Sequence, residues 1–80
     1  MNAIETKISD FLRAAHPSAS GSIEESSNLF ADGWLDSLLH IKLLVFLEEN
    51  FHLRISPLQI TRKSFLTVRS IAELVIKGGS

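Results

Sequence analysis

The sequence predicts an all-α fold, a small four-helix bundle with three main helices, one short helix and a long first loop. Three observations carry this. Residues 2–15, 37–51 and 68–77 place apolar side chains three and four apart, the period of a helix. Ser56-Pro57 joins a capping residue to a proline at a first helical position, so a helix of about one turn opens there. No segment reads as a strand.

In residues 2–15, Ile4, Ile8, Phe11, Leu12 and Ala15 share one face, while Glu5, Ser9, Asp10 and Arg13 fall off it. His16-Pro17 ends the helix, because the residue before proline avoids the helical region. Residues 16–36 form the long loop. Ser18, Ser20, Gly21, Ser22, Ser26 and Ser27 make its first half rich in turn residues. Leu29, Phe30, Trp34 and Leu35 are expected to pin its second half to the bundle. Residues 23–30 are either a plain surface connection or one short helix. A loop of this length in a compact domain points to function or to disorder.

Residues 37–51 are rich in good helix formers and contain no Gly or Pro, and Asp36 suits the N-cap. After Ser56-Pro57, Leu58 and Ile60 continue the short helix, and Phe65 is a candidate core plug. Thr67 caps the last helix, whose inner face carries Val68, Ile71, Leu74 and Val75. Lys77 suits the helix dipole and Gly78 a C-terminal cap. Residues 1–77 are read as one domain and 78–80 as a flexible tail.

Composition narrows the functions open to this fold. A chain of 80 residues makes one domain with a small core and little room for a walled substrate cleft. Eight basic and nine acidic residues leave a net charge of −1, so no strong field is available for nucleic acid or an anionic membrane. There is no cysteine, which excludes disulfides, thiol catalysis and thiolate metal sites. His16, His40 and His52 lie 24 and 12 residues apart, so no close pair suits a metal. No apolar run approaches the roughly 20 residues needed to span a bilayer, and no basic-then-apolar leader opens the chain. A cytoplasmic monomer without metal is expected.

The helix at 37–51 carries more apolar surface than one core needs. At 100° per residue, Leu43, Leu44, Leu47 and Phe51 face one way, flanked by Leu39 and Phe46, while Lys42, Glu48 and Glu49 mark the solvent side. Leu38, Ile41 and Val45 fall on the side of the charges and form a second apolar line. Such a line marks a binding surface unless the loop or the short helix covers it, an alternative that is open above all for Ile41.

Gly33-Trp34-Leu35-Asp36-Ser37-Leu38 at the entrance of this helix resembles the acyl and peptidyl carrier proteins, whose signature is Asp-Ser-Leu after a long loop. The context agrees over about residues 4–76: Leu29-Phe30 upstream, Glu48-Glu49-x-Phe51 near the helix end, Ser56-Pro57, and Phe65-x-Thr67-Val68. The resemblance implies that Ser37 is the attachment point of 4′-phosphopantetheine, derived from coenzyme A. The serine hydroxyl would attack the β-phosphate of coenzyme A inside a separate phosphopantetheinyl transferase that supplies Mg²⁺, and the terminal thiol of the arm would carry cargo as a thioester. The chain itself would have no catalytic residue. Asp36 would cap the helix and meet the transferase, and Leu38, Ile41, Lys42 and Val45 would meet partner enzymes: an adenylating or loading ligase or an acyltransferase, then a downstream synthase or transferase. Met1 suits a free-standing carrier.

Fatty-acid carriers are strongly acidic along this helix, whereas here Leu39, His40 and Lys42 occupy that region. Leu35-Asp36-Ser37 with Ile60-Thr61-Arg62-x-x-Phe65-x-Thr67 is closer to the stand-alone aminoacyl carriers, D-alanyl carriers among them, and to carriers of nonribosomal and polyketide pathways. His40, one turn after Ser37, is read either as touching the arm or as a partly buried residue beside the loop. Trp34 is read as an anchor for the loop or a contact for the arm.

Other readings weigh less. A DNA-binding module should show a basic stripe, yet Lys7, Arg13, Lys42, Arg54, Arg62, Lys63, Arg69 and Lys77 are scattered. A hydrolase using Ser37, His40 and Asp36 would crowd nucleophile, base and orienting group into one helical turn, and no Gly-x-Ser-x-Gly elbow is present. Asp36-Ser37 as a plain helix cap, in a small helical adaptor without a prosthetic group, predicts the same fold and the same apolar line.

Overall fold

Four capping side chains set where the chain turns helical. In a computed structural model describing residues 1–80, these caps open α1 (Ala3–Ala15), α2 (Ser37–Asn50), a single 3-10 turn (Pro57–Gln59) and α3 (Val68–Ile76), and there is no strand. Asp36 Oδ1 accepts from Leu39 N–H at 2.8 Å, Ser56 Oγ from Leu58 N–H at 3.4 Å and Thr67 Oγ1 from Ser70 N–H at 3.0 Å. These are the three caps expected from the sequence. The fourth is Asn2, whose Oδ1 accepts from Glu5 N–H at 2.8 Å while Glu5 Oε1 accepts from Asn2 N–H at 2.9 Å, a reciprocal capping box.

That box explains one departure from the expected face of α1. Glu5 and Ser9 are buried beside Ile8 and Leu12, although helical spacing puts them off the apolar face. The Glu5 carboxylate is committed to the cap, and Ser9 Oγ donates to Thr6 O at 3.1 Å, so each is buried with its hydrogen bond made. Ala15, expected inside, is exposed.

The core joins Ile8 and Leu12 of α1, Leu39, Leu43 and Leu47 of α2 and Val68, Ile71, Leu74 and Val75 of α3 around Phe65, which is fully buried. Each such side chain contributes about 1.5–3 kcal/mol by leaving water. Leu44, Phe46 and Phe51 pack at its margin, Phe46 against Phe11 with ring centroids 4.6 Å apart.

The long loop forms turns rather than a helix at 23–30, and it is tied into the bundle. Ile23, Leu29, Trp34 and Leu35 are buried in the core. Its backbone also serves α3: Leu29 N–H donates to Leu66 O at 2.8 Å, and Glu25 O accepts from Arg69 N–H at 2.9 Å, filling one of the amides a helix start leaves open. Arg69 also pairs with Glu25 at 3.6 Å. At the other end, His16 Nε2 donates to Trp34 O at 3.0 Å.

Residues 78–80, expected as a flexible tail, are part of the fold. Gly78, at φ 74°, reverses the chain after α3. Gly78 N–H then donates to Val75 O and Gly79 N–H to Leu74 O, both at 2.9 Å, the two bonds of a Schellman cap. Gly79 is buried, and its carbonyl accepts from Ser56 N–H at 2.8 Å. Glu48, expected toward solvent, is likewise half-buried, with Oε2 accepting from Ile55 N–H at 2.9 Å. No helix is long and apolar enough to cross a membrane.

Candidate functional site

The entrance of α2 is built from both sides of its cap. Upstream, Gly33 at φ 82° turns the chain, which lets Trp34 and Leu35 go into the core and Asp36 come out. Leu35 N–H and Trp34 N–H both donate to Leu29 O, at 3.0 and 2.8 Å, so the approach to the helix is fixed. Downstream, Asp36 takes the cap, and Ser37 is the first helical residue and exposed. The capping work is therefore done by Asp36, and the Ser37 hydroxyl has none to do. The backbone N–H groups of Ser37 and Leu38 have no partner in the helix. With the positive end of the helix dipole, they make a setting that favours negative charge beside this hydroxyl. The first turn of α2 itself holds no acidic residue, and the Asp36 carboxylate at the cap is engaged by Leu39 N–H.

Leu38 is 63% exposed, Ile41 60% and Val45 48%, so neither the loop nor the 3-10 turn covers this line. Ile41 is thereby settled as exposed. Lys42 is exposed beside it. On the far side of Leu38 the surface falls into a groove of about 420 Å³ between helices, walled by Phe11, Ala14 and Ala15 of α1 and by Leu38, Leu39 and Lys42 of α2. The sequence reading placed only α2 at this site. The contribution of α1 had one signal, the two small residues Ala14-Ala15 at its end, which leave room where larger side chains would fill it.

The six positions expected at the site thus lie on one stretch of α2 and its cap: Asp36, Ser37, Leu38, Ile41, Lys42 and Val45 are all exposed. His40 is turned the other way. Its ring packs on Phe65 with centroids 4.3 Å apart and meets the edge of Phe30 at 5.7 Å. Its Nε2 is buried with no hydrogen-bond partner. Burial pushes the imidazole below its ordinary value, and the nearby Arg62 guanidinium pushes in the same direction. Asp36 spends its carboxylate on Leu39 N–H, and no side-chain hydrogen bond links it to His40, so the three residues of a hydrolase are not assembled. No group of three or more His, Asp or Glu side chains is placed to hold a metal ion. Trp34 is an anchor: it is buried, with Arg13 over its ring at 5.8 Å and His16 at its edge at 5.6 Å.

No protein-family model, curated protein or solved structure matches this chain.

Proposed function

We propose that this chain is a carrier protein that holds an acyl, aminoacyl or peptidyl group on a 4′-phosphopantetheine arm attached to Ser37 and presents it to partner enzymes. The observation that supports this most is the division of labour at the start of α2: Asp36 caps the helix, which leaves an exposed, otherwise unemployed serine hydroxyl at its positive end. The arm supplies the thiol that a chain without cysteine lacks, and holds cargo there as a thioester. The protein's own residues then have three tasks. Ser37 Oγ bears the phosphodiester, the open N–H groups of Ser37 and Leu38 face its charge, and Leu38, Ile41 and Val45 with Lys42 meet the enzymes. The chain is read as a non-catalytic cytoplasmic monomer. A phosphopantetheinyl transferase modifies it, an adenylating ligase or acyltransferase loads it, and a synthase or transferase unloads it. Aminoacyl, D-alanyl or secondary-metabolic cargo fits the near-neutral surface of α2 better than the partners of acidic fatty-acid carriers.

An adaptor without a prosthetic group would show the same exposed line, and intact mass separates the two readings. After incubation with coenzyme A and a broad-specificity phosphopantetheinyl transferase, the protein should gain the mass of one arm. An unchanged mass would favour the adaptor.

A further inference from the structure

His40 is the one place where the molecule buries a polar side-chain atom without a partner. A neutral imidazole tolerates this at a moderate cost. The ring as a whole is half-buried, and protonation raises that cost, because the enclosed nitrogen then carries part of a charge with neither water nor a partner. The two rings that enclose it come from different parts of the chain: Phe65 is fixed in the core, and Phe30 belongs to the long loop and is only half-buried. Phe30 also carries Arg62 over its ring, with the guanidinium 4.2 Å from the centroid. Next to Phe30 are Leu29, Trp34 and Leu35, whose backbone bonds shape the approach to Asp36 and Ser37.

We propose that His40 is a proton-operated latch on the long loop: neutral, it seats Phe30 and the segment 28–35 against α2 and Phe65; protonated, its enclosed Nε2 draws in water, and Phe30 with that segment swings away. The direction is fixed by the surrounding charges. The charged residues on these elements are Glu24, Glu25 and Asp32 on the loop, Asp36 at the cap, Lys42, Glu48 and Glu49 on α2, Arg62 and Lys63 before Phe65, and Arg69 and Glu73 on α3. Asp36 is committed to Leu39 N–H and Arg69 to Glu25, and no carboxylate forms an ion pair with His40. Arg62 adds repulsion to any charge on the ring, which agrees with the lowered imidazole pKa. The latch is independent of any group on Ser37.

The test is amide hydrogen exchange, corrected for intrinsic rates, near pH 7.5 and near pH 5, on either side of the histidine range. The loop reporters are the N–H groups of Leu29, Trp34 and Leu35, and Leu43 and Leu47 in α2 are the references. On acidification the loop amides should lose protection while the α2 amides keep theirs. The ceiling is roughly thirtyfold, from an imidazole freed to its ordinary value of 6.5. His40→Phe, which keeps an aromatic ring and removes the proton site, should show no such loss. Should that variant fold poorly, the wild-type imidazole resonances serve: loop opening should share its midpoint with His40 and not with His16 or His52. Equal loss across α2, the same loss in His40→Phe, no loss at all, or a midpoint that follows His16 would each overturn the latch.

Discussion

Asp36 and Ser37 are neighbours with separate work, and substitution can separate them. Asp36 contributes about 0.5–2 kcal/mol as a cap, so Asp36→Ala should lower stability by that amount in chemical denaturation. Asp36→Asn keeps most of the cap and loses the charge. It should melt near the wild-type temperature yet be modified more slowly by the transferase; equal rates would confine Asp36 to capping. At the other end of the chain, Gly79 sits at φ 90°, and a Cβ there would collide with the backbone carbonyl of Arg54. Backbone cannot yield as a side-chain tip can, and the left-handed region adds roughly 1–2 kcal/mol for any residue with a Cβ. Gly79→Ala should therefore destabilise the protein measurably in thermal melts, which a loose tail would not do.

At the scale of elements, α2 has two apolar sides with different fates. Leu39, Leu43 and Leu47 are buried, and Leu38, Ile41 and Val45 are not. Both sides were legible in the sequence because a helical wheel needs only spacing. Glu5 and Ser9 were not, since a polar side chain that satisfies itself through a local hydrogen bond can be buried against its type. The ties from Leu29 to Leu66 and from Glu25 to Arg69 were not legible either, because backbone bonds between distant segments leave no periodic mark. The exposed line makes a prediction of its own. With Lys42 among apolar residues, and Glu48 and Glu49 at the far end, docking of the loading enzyme should rest on apolar contact. Val45→Ala removes about two methyl groups, worth on the order of 1–1.5 kcal/mol if they are buried only in the complex. Loading rate against carrier concentration should fall about tenfold with an almost unchanged melting temperature. Moving from low to moderate salt, which screens exposed charges beyond about 8–10 Å, should matter less. A large salt effect with an indifferent Val45 would place the docking surface elsewhere, and a sharp drop in melting temperature would place Val45 in the core.

Over the whole molecule, one small core leaves its outward features at the entrance of α2. The loop feeds its apolar residues inward, the cap fixes the helix start, the serine opens α2, and the exposed line and the groove beside α1 meet at Leu38. The sequence showed that entrance through Asp36-Ser37 and the pinned loop, but it gave no view of the groove, which needs α1 and α2 side by side. The central claim is that Ser37, freed by its neighbour's cap, is the attachment point. Its most direct measurement is the intact mass of wild type and Ser37→Ala side by side, after incubation with coenzyme A and the transferase, with circular dichroism of both. The wild type should gain one arm, and Ser37→Ala should gain none while keeping its helical spectrum; a Ser37→Ala protein that still gains the arm would contradict the assignment.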